Sequence, residues 1–158
     1  MKYVDTLFLI LLVLTLLMGS FLTSCKKDDP TPLTAQQDAA KKLSVTWGAA
    51  EVLEAPIPNA SGTLSNLVLT FTATSNFTPD AFSATGAPGF FTTSSSSKWN
   101  WAGTGGATEI VLTAVSPVQG FMVEELTINN LTISFTLSGP IGGRVAGVGQ
   151  YKVRFTKM

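Results

Sequence analysis

Apolar and polar residues alternate with a period of two in several stretches of this sequence, and this pattern constrains the fold more than any other feature. Residues 67–73, 131–138 and 151–156 each place mainly apolar side chains on one face of an extended chain and mainly Thr, Ser, Lys or Arg on the other. Successive side chains of a β-strand point to opposite faces. Each of these stretches is therefore predicted to be a strand with one buried and one solvated face.

The sequence predicts eight strands in all, separated by Gly, Pro, Asn and Ser residues that are typical of turns. They are 43–53, 66–74, 81–85 continued by 90–93, 97–102, 108–114, 121–127, 131–138 and 150–157. No gap between them is long enough for a crossover helix, so neighbouring strands should pair antiparallel. We expect an all-β fold, a small up-and-down antiparallel β-barrel with no exposed edges, and a β-sandwich is the alternative.

One short helix precedes the strands. Thr34 and Gln37 have the spacing of a capping box, in which each side chain bonds the backbone of the other residue. Good helix formers follow, and Lys41 and Lys42 suit the negative end of a helix dipole. We expect a helix over about 35–42.

The N-terminus has the pattern of a leader. Residues 7–18 are apolar except for Thr15, and twelve helical residues span only about 18 Å, short of the roughly 30 Å hydrocarbon core of a bilayer. This is the length of a signal-peptide core. The following Leu22-Thr23-Ser24-Cys25 resembles the lipobox of bacterial lipoproteins. That resemblance implies that residues 1–24 are a lipoprotein signal peptide and that Cys25 is lipidated and becomes the first residue.

A lipidated Cys25 would anchor the protein to a membrane through its lipid chains. Residues 25–33 would then be the lipidated Cys and a flexible, proline-containing tether, followed by one domain over 34–158. Lys26, rather than Asp, follows the cysteine, which by the sorting rule of such lipoproteins implies the outer membrane. Lys27-Asp28-Asp29 is similar to an export tag of Gram-negative surface lipoproteins, which favours the cell surface over the periplasm; the alternative is a merely solvated tether.

The order of motifs in residues 34–158 resembles the lipocalin-like domain of small Gram-negative surface lipoproteins. After the helix, the segments that carry this resemblance are 42–47, 69–71, 99–101, 126–135 and 149–155. Lipocalins place Gly-x-Trp on the first strand, with an Arg from the last strand packed over the indole. Here Trp47 is present, but Val45 stands where the glycine would be. The resemblance implies a structural cation–π contact from Arg154, or from Arg144 before the last strand.

The charged residues do not indicate a catalytic, metal-binding or nucleic-acid-binding site. Lys and Arg number 10 and Asp and Glu 10, so no basic surface for nucleic acid is expected. The chain has no His and one Cys, and we expect no enzyme activity, no metal site and no cofactor. Glu124 and Glu125, as neighbours on a strand, should point to opposite faces and so cannot act together.

Aromatic residues are the candidate ligand-binding residues. Trp99 and Trp101 share a strand face about 6.7 Å apart, a spacing that suits a platform for a sugar or a flat apolar ligand, although two indoles on one face more often fill a core. Phe90 and Phe91 should lie on opposite faces, so at least one is expected at a barrel mouth or in a loop.

Two functional hypotheses follow. In the first, a non-enzymatic, lipid-anchored outer-membrane lipoprotein binds a small hydrophobic ligand or a glycan at the barrel mouth, near Phe90, Phe91 and Trp101. In the second, the barrel interior is filled by side chains and the domain is a structural or protein-interaction module, whose protein partner the sequence does not identify. A barrel of eight strands is compatible with both. A cavity of roughly 300 Å³ near those three residues would favour the first hypothesis.

Overall fold

The computed structural model describes residues 32–57, 60–87, 89–139 and 147–158. The predicted signal peptide 1–24, the lipidation site Cys25, most of the tether and Arg144 lie outside these residues.

Helix α1 (Ala35–Leu43) begins at the predicted capping box. Thr34 accepts a hydrogen bond from the backbone N–H of Gln37 (3.2 Å), and the Gln37 side chain accepts one from the backbone N–H of Thr34 (2.9 Å). Ala40 and Leu43 form its buried face. The predicted helix is thus confirmed, and it runs one residue further than expected.

Ten strands and a second short helix complete the described residues. The strands are β1 (Thr46–Glu54), β2 (Val68–Ala73), β3 (Pro79–Thr85), β4 (Phe91–Thr92), β5 (Lys98–Trp101), β6 (Glu109–Thr113), β7 (Ser116–Pro117), β8 (Gly120–Leu126), β9 (Asn130–Leu137) and β10 (Gly149–Lys157). Helix α2 (Ala60–Leu64) joins β1 to β2 and was not expected from the sequence.

Eight of these strands close into an antiparallel barrel in the order β1-β10-β9-β8-β6-β5-β3-β2, with β2 paired again to β1. The β1–β10 pair closes the ring, and every other pair joins barrel strands that follow one another along the chain. The longest ladder joins β9 and β10, from Gly149↔Leu137 to Thr156↔Asn130. The predicted all-β barrel is confirmed, and the sandwich alternative is excluded because the sheet has no open edge.

One predicted strand is wrong in part. Residues 81–85 and 90–93 were expected to form a single strand, but β3 ends at Thr85, and β4 pairs with β7 in a separate two-stranded sheet. The chain leaves the barrel at Gly86, whose φ of 84° suits glycine, and where an added Cβ would collide with the carbonyl oxygen of Asn66.

The two ends of the barrel are covered by different elements. At one, which we call the α1 end, Gln36 donates hydrogen bonds to the carbonyl oxygens of Gly103 and Gly106, and Gln37 donates to that of Asn76. These acceptors lie in the β5–β6 and β2–β3 turns, so α1 is fastened across that end. At the other lie α2 and the segment we call the plug, residues 89–97 and 114–119, which contains β4 and β7.

Candidate functional site

All four candidate ligand-binding residues are buried in the barrel. Phe90, Phe91 and Trp99 are each 2% exposed and Trp101 is 8% exposed. They belong to one network of aromatic rings in contact, with centroids 5.1 to 6.2 Å apart. The other members of the network are Phe71, Phe82, Phe121, Phe135 and Tyr151. The structure therefore brings the four residues together as part of the hydrophobic core.

Phe90 and Phe91 both point inward because they are not part of the barrel sheet. Phe90 lies in a turn, where its N–H bonds the carbonyl oxygen of Ala87, and Phe91 begins β4. Phe90 packs against Tyr151 (5.1 Å) and Phe91 against Phe135 (5.3 Å). The alternation rule that separates neighbours on a strand does not apply across this turn. The plug thus fills the barrel mouth with two rings.

The two tryptophans of β5 differ in how their indole N–H groups are used. The rings meet edge to face, 5.3 Å apart. Trp99 donates to the carbonyl oxygen of Thr72 at 2.7 Å. The Trp101 N–H is buried and has no acceptor among the described residues. An unpaired buried donor is uncommon in folded proteins and costs free energy.

Trp101 also lines a surface groove of about 310 Å³ at the α1 end. The other lining residues are Thr34, Gln36, Gln37, Phe77, Thr78, Pro79 and Asn100. Amide and hydroxyl side chains share the lining of this groove with two aromatic rings. No sequence pattern indicates this groove, because it joins the start of α1 to the β2–β3 turn and the end of β5 only after the barrel has closed.

Of the four candidate residues, Trp101 lines a surface groove, whereas Phe90, Phe91 and Trp99 are each only 2% exposed. The largest buried side chains, among them Trp47, Tyr151, Phe71 and Phe90, occupy the interior. Binding at the mouth would therefore require the plug to move.

Trp47 and Arg154 do not meet. Trp47 is fully buried and its indole N–H donates to the carbonyl oxygen of Leu43 at 3.0 Å. Arg154 lies on the outer face of β10, where it pairs with Glu51 at 3.4 Å. The expected packing of Arg154 over the indole is therefore replaced by an exposed ion pair, because the inward positions of β10 belong to Tyr151 and its period-two neighbours.

Glu124 and Glu125 share one face of the barrel, contrary to the expectation from the sequence. Val123 pairs with Ile133 and Glu125 with Thr132, so β8 carries a bulge with one extra residue. Glu124 accepts a hydrogen bond from Ser134 (2.6 Å) and Glu125 one from Thr132 (3.4 Å). The two donor hydroxyls, of Ser134 and Thr132, lie on the outer face of β9. The bulge places the two exposed carboxylates on the same outer wall.

Burial raises the pKa of Tyr151, whose hydroxyl donates to the carbonyl oxygen of Gly147 at 2.6 Å. Among the described residues, no group of three His, Cys, Asp or Glu side chains is arranged to hold a metal ion. None of the helices described is long and apolar enough to cross a membrane.

Comparisons of the chain with protein-family models, with curated proteins and with solved structures found no match.

Proposed function

We propose that this protein is a non-enzymatic, lipid-anchored lipoprotein of the outer membrane, with the domain at the cell surface. Its barrel is a solid scaffold that interacts through its outer surface. The observation that supports the scaffold role is the filled interior of the barrel. Nine aromatic rings form a connected network there, and both barrel ends are covered. A closed, filled barrel presents loops and wall for contact instead of a calyx.

The lipid anchor is supported by the sequence, through the apolar run 7–18 and the lipobox-like residues that end at Cys25. The proposed kinship with lipocalin-like surface lipoproteins rests on the motif order and is compatible with the closed eight-stranded barrel. Unrelated families share such barrels, so the fold alone supports no activity. The absence of enzymatic activity is supported by the position of the charged groups: the ion pairs Lys42–Asp38, Lys98–Asp80 and Arg154–Glu51 all lie on exposed surface.

Mass spectrometry of the purified full-length protein tests the anchor. We expect a chain that starts at Cys25 and carries the added mass of its lipids. Cys25→Ala should carry none, whereas the neighbouring Ser24→Ala, which keeps a small residue before the cysteine, should still be lipidated. A wild-type chain with an unmodified Cys25 would contradict the anchor. Protease treatment of intact cells tests the location, because only a surface domain is accessible to the enzyme.

One observation favours a second candidate function, the binding of a glycan in the groove beside Trp101. Its lining of Gln36, Gln37 and Asn100, beside the Phe77 and Trp101 rings, offers the hydrogen-bond donors, acceptors and apolar surface that sugars use. Native mass spectrometry of the purified protein tests this directly. A co-purifying carbohydrate that is lost in Trp101→Phe and kept in Val111→Ala, on the outer wall, would support it. Protein without any adduct would leave the filled scaffold as the function.

A further inference from the structure

A groove at the α1 end combines lysines with apolar side chains. It measures about 300 Å³ and is lined by Asp38, Lys41, Lys42, Val45, Ile128 and Lys157. We call it the lysine groove. Three elements that are far apart in sequence meet there: the last turn of α1, the β8–β9 turn and the end of β10.

The lysine groove carries unbalanced positive charge. Lys42 is paired with Asp38 at 2.7 Å. Lys41 holds its Nζ 5.5 Å from the centroid of the Phe77 ring, and within the described residues neither it nor Lys157 has a carboxylate partner. An anion with several negative groups would therefore complete this groove.

The same end exposes the two large apolar side chains with the highest accessibility in the described chain. Ile128 is 70% exposed and Met158 is 75% exposed. Ile128 lies in a turn fixed by hydrogen bonds: Asn130 N–H donates to the Thr127 hydroxyl at 2.9 Å, and Lys157 N–H donates to the carbonyl oxygen of Asn129 at 2.9 Å. The turn thus holds an isoleucine outward beside the lysines.

Helix capping accounts for only part of this surface. Lys41 and Lys42 suit the last turn of α1 through the helix dipole. That explanation does not extend to Lys157 on β10 or to Ile128 in the β8–β9 turn. Lysines that surround exposed apolar side chains are the combination that binds the interface of anionic bilayers.

We propose that the lysine groove docks on the anionic headgroups of the membrane that holds the protein, with Ile128 inserted at the interface. This inference rests on the lipid anchor proposed above. Leu33 leads directly into α1, so the first residue of the domain lies at the end that carries the lysine groove. The lipid anchor keeps the domain close to the bilayer, and the lysine groove sets which end faces it.

A single introduced cysteine reports this orientation, because Cys25 is the only cysteine in the chain and its thiol is blocked by lipid in the proposed form. The full-length lipidated Ile128→Cys protein is labelled with an environment-sensitive fluorophore and placed in phosphatidylglycerol–phosphatidylcholine vesicles that contain a lipid-borne quencher. Val148→Cys is the matched control, an exposed apolar residue at the opposite end of the barrel. We expect a blue shift and quenching for the label at 128 and neither for the label at 148.

Charge variants test the role of the lysines. In the labelled Ile128→Cys protein, Lys41→Gln, Lys42→Gln and Lys157→Gln together should abolish the quenching, with the docking constant reduced about fivefold per lysine. The control removes three positive charges from the wall, through Lys98→Gln, Lys152→Gln and Arg154→Gln, and should leave the quenching unchanged. In vesicles of phosphatidylcholine alone, the labelled Ile128→Cys protein with its lysines unchanged should also show no quenching.

Each outcome separates docking from anchoring. Equal quenching of the labels at 128 and 148, or equal loss in the groove and wall variants, would overturn the docking proposal. So would quenching in phosphatidylcholine alone that matches the anionic vesicles. Strong labelling of the unchanged chain would instead reveal a free Cys25 thiol and contradict the anchor.

Discussion

The indole N–H of Trp47 donates a hydrogen bond to the carbonyl oxygen of Leu43 at 3.0 Å, and this bond ties the first strand of the barrel to the end of α1. Both residues are fully buried. The Leu43 carbonyl is one of the groups that a helix C-terminus leaves without an intrahelical partner. Trp47 therefore fills core volume and caps the helix that covers this end.

Trp47→Ala should lower the free energy of unfolding by about 3–5 kcal/mol, because it removes a large buried side chain and leaves a cavity. Trp47→Phe keeps most of the ring and removes the indole donor, while the Leu43 carbonyl oxygen still accepts from the backbone N–H of Val45 at 2.7 Å. We therefore expect a smaller loss of about 0.5–1.5 kcal/mol. Urea denaturation of both variants measures these values. A loss under 1 kcal/mol in Trp47→Ala would contradict the buried position of the ring.

We expect the Phe90 side chain to stabilise the folded barrel. Phe90→Ala should cost about 3–5 kcal/mol, because its ring packs against Tyr151 and Phe135 inside the barrel. Val111→Ala, on the exposed outer wall, should change stability by less than about 1 kcal/mol. Thermal and urea denaturation of the two variants give the comparison. If Phe90→Ala were as neutral as Val111→Ala, the plug would be open in solution, and the mouth would again be a candidate ligand site.

The strands and α1 could be predicted from the sequence because their signals are local. The alternation in β9 and β10 assigns every side chain to a face, and Thr34 with Gln37 marks the start of the helix. Turn residues then mark where each strand stops. Since no segment between strands is long enough for a crossover helix, antiparallel closure follows.

The bulge in β8 could not be predicted. One extra residue at Glu124 leaves no mark in the sequence, because its neighbours are ordinary strand residues. Its effect is nevertheless large, since it turns Glu124 to the same face as Glu125 and so invalidates the alternation rule at that point.

The plug was also missed, for a different reason. The residues around Gly86 predict a turn. They do not indicate whether the chain after it continues the barrel sheet or folds into the barrel interior. The grooves depend on even longer distances in sequence, as for Gln36 and Asn100 beside Trp101. Such surfaces exist only once the barrel has closed, so single-sequence patterns carry no information on them.

The neighbouring tryptophans of β5 offer a matched measurement of one hydrogen bond. Trp99→Phe and Trp101→Phe remove similar ring area from the core. The Trp99 N–H donates to the carbonyl oxygen of Thr72, whereas the Trp101 N–H has no acceptor among the residues that the structure describes. We expect Trp99→Phe to be more destabilising than Trp101→Phe by about 1–3 kcal/mol. Urea denaturation of the ligand-free protein measures the difference. Equal losses would mean that the Trp101 N–H has a partner, such as an ordered water.

Tyr151 should make stability fall at alkaline pH. Burial raises the pKa of its hydroxyl in the folded protein, and an unfolded tyrosine titrates near pH 10, at about its unperturbed value. The folded state therefore holds the proton more tightly than the unfolded state. The stabilisation from this group is fully present below about pH 10 and is lost as the pH rises through the folded-state pKa.

Tyr151→Phe tests this dependence, because phenylalanine keeps the ring stacked on Phe135 and removes the titrating group. At neutral pH the variant should be less stable by about 0.5–1.5 kcal/mol, through the lost hydrogen bond to the Gly147 carbonyl oxygen. Above about pH 10 this difference should shrink, because only the wild-type protein loses stability by ionisation of this side chain. The two proteins share every other titratable group, so the comparison isolates Tyr151. Urea midpoints that stay equally far apart across the alkaline range would show that the hydroxyl titrates alike in the folded and unfolded states.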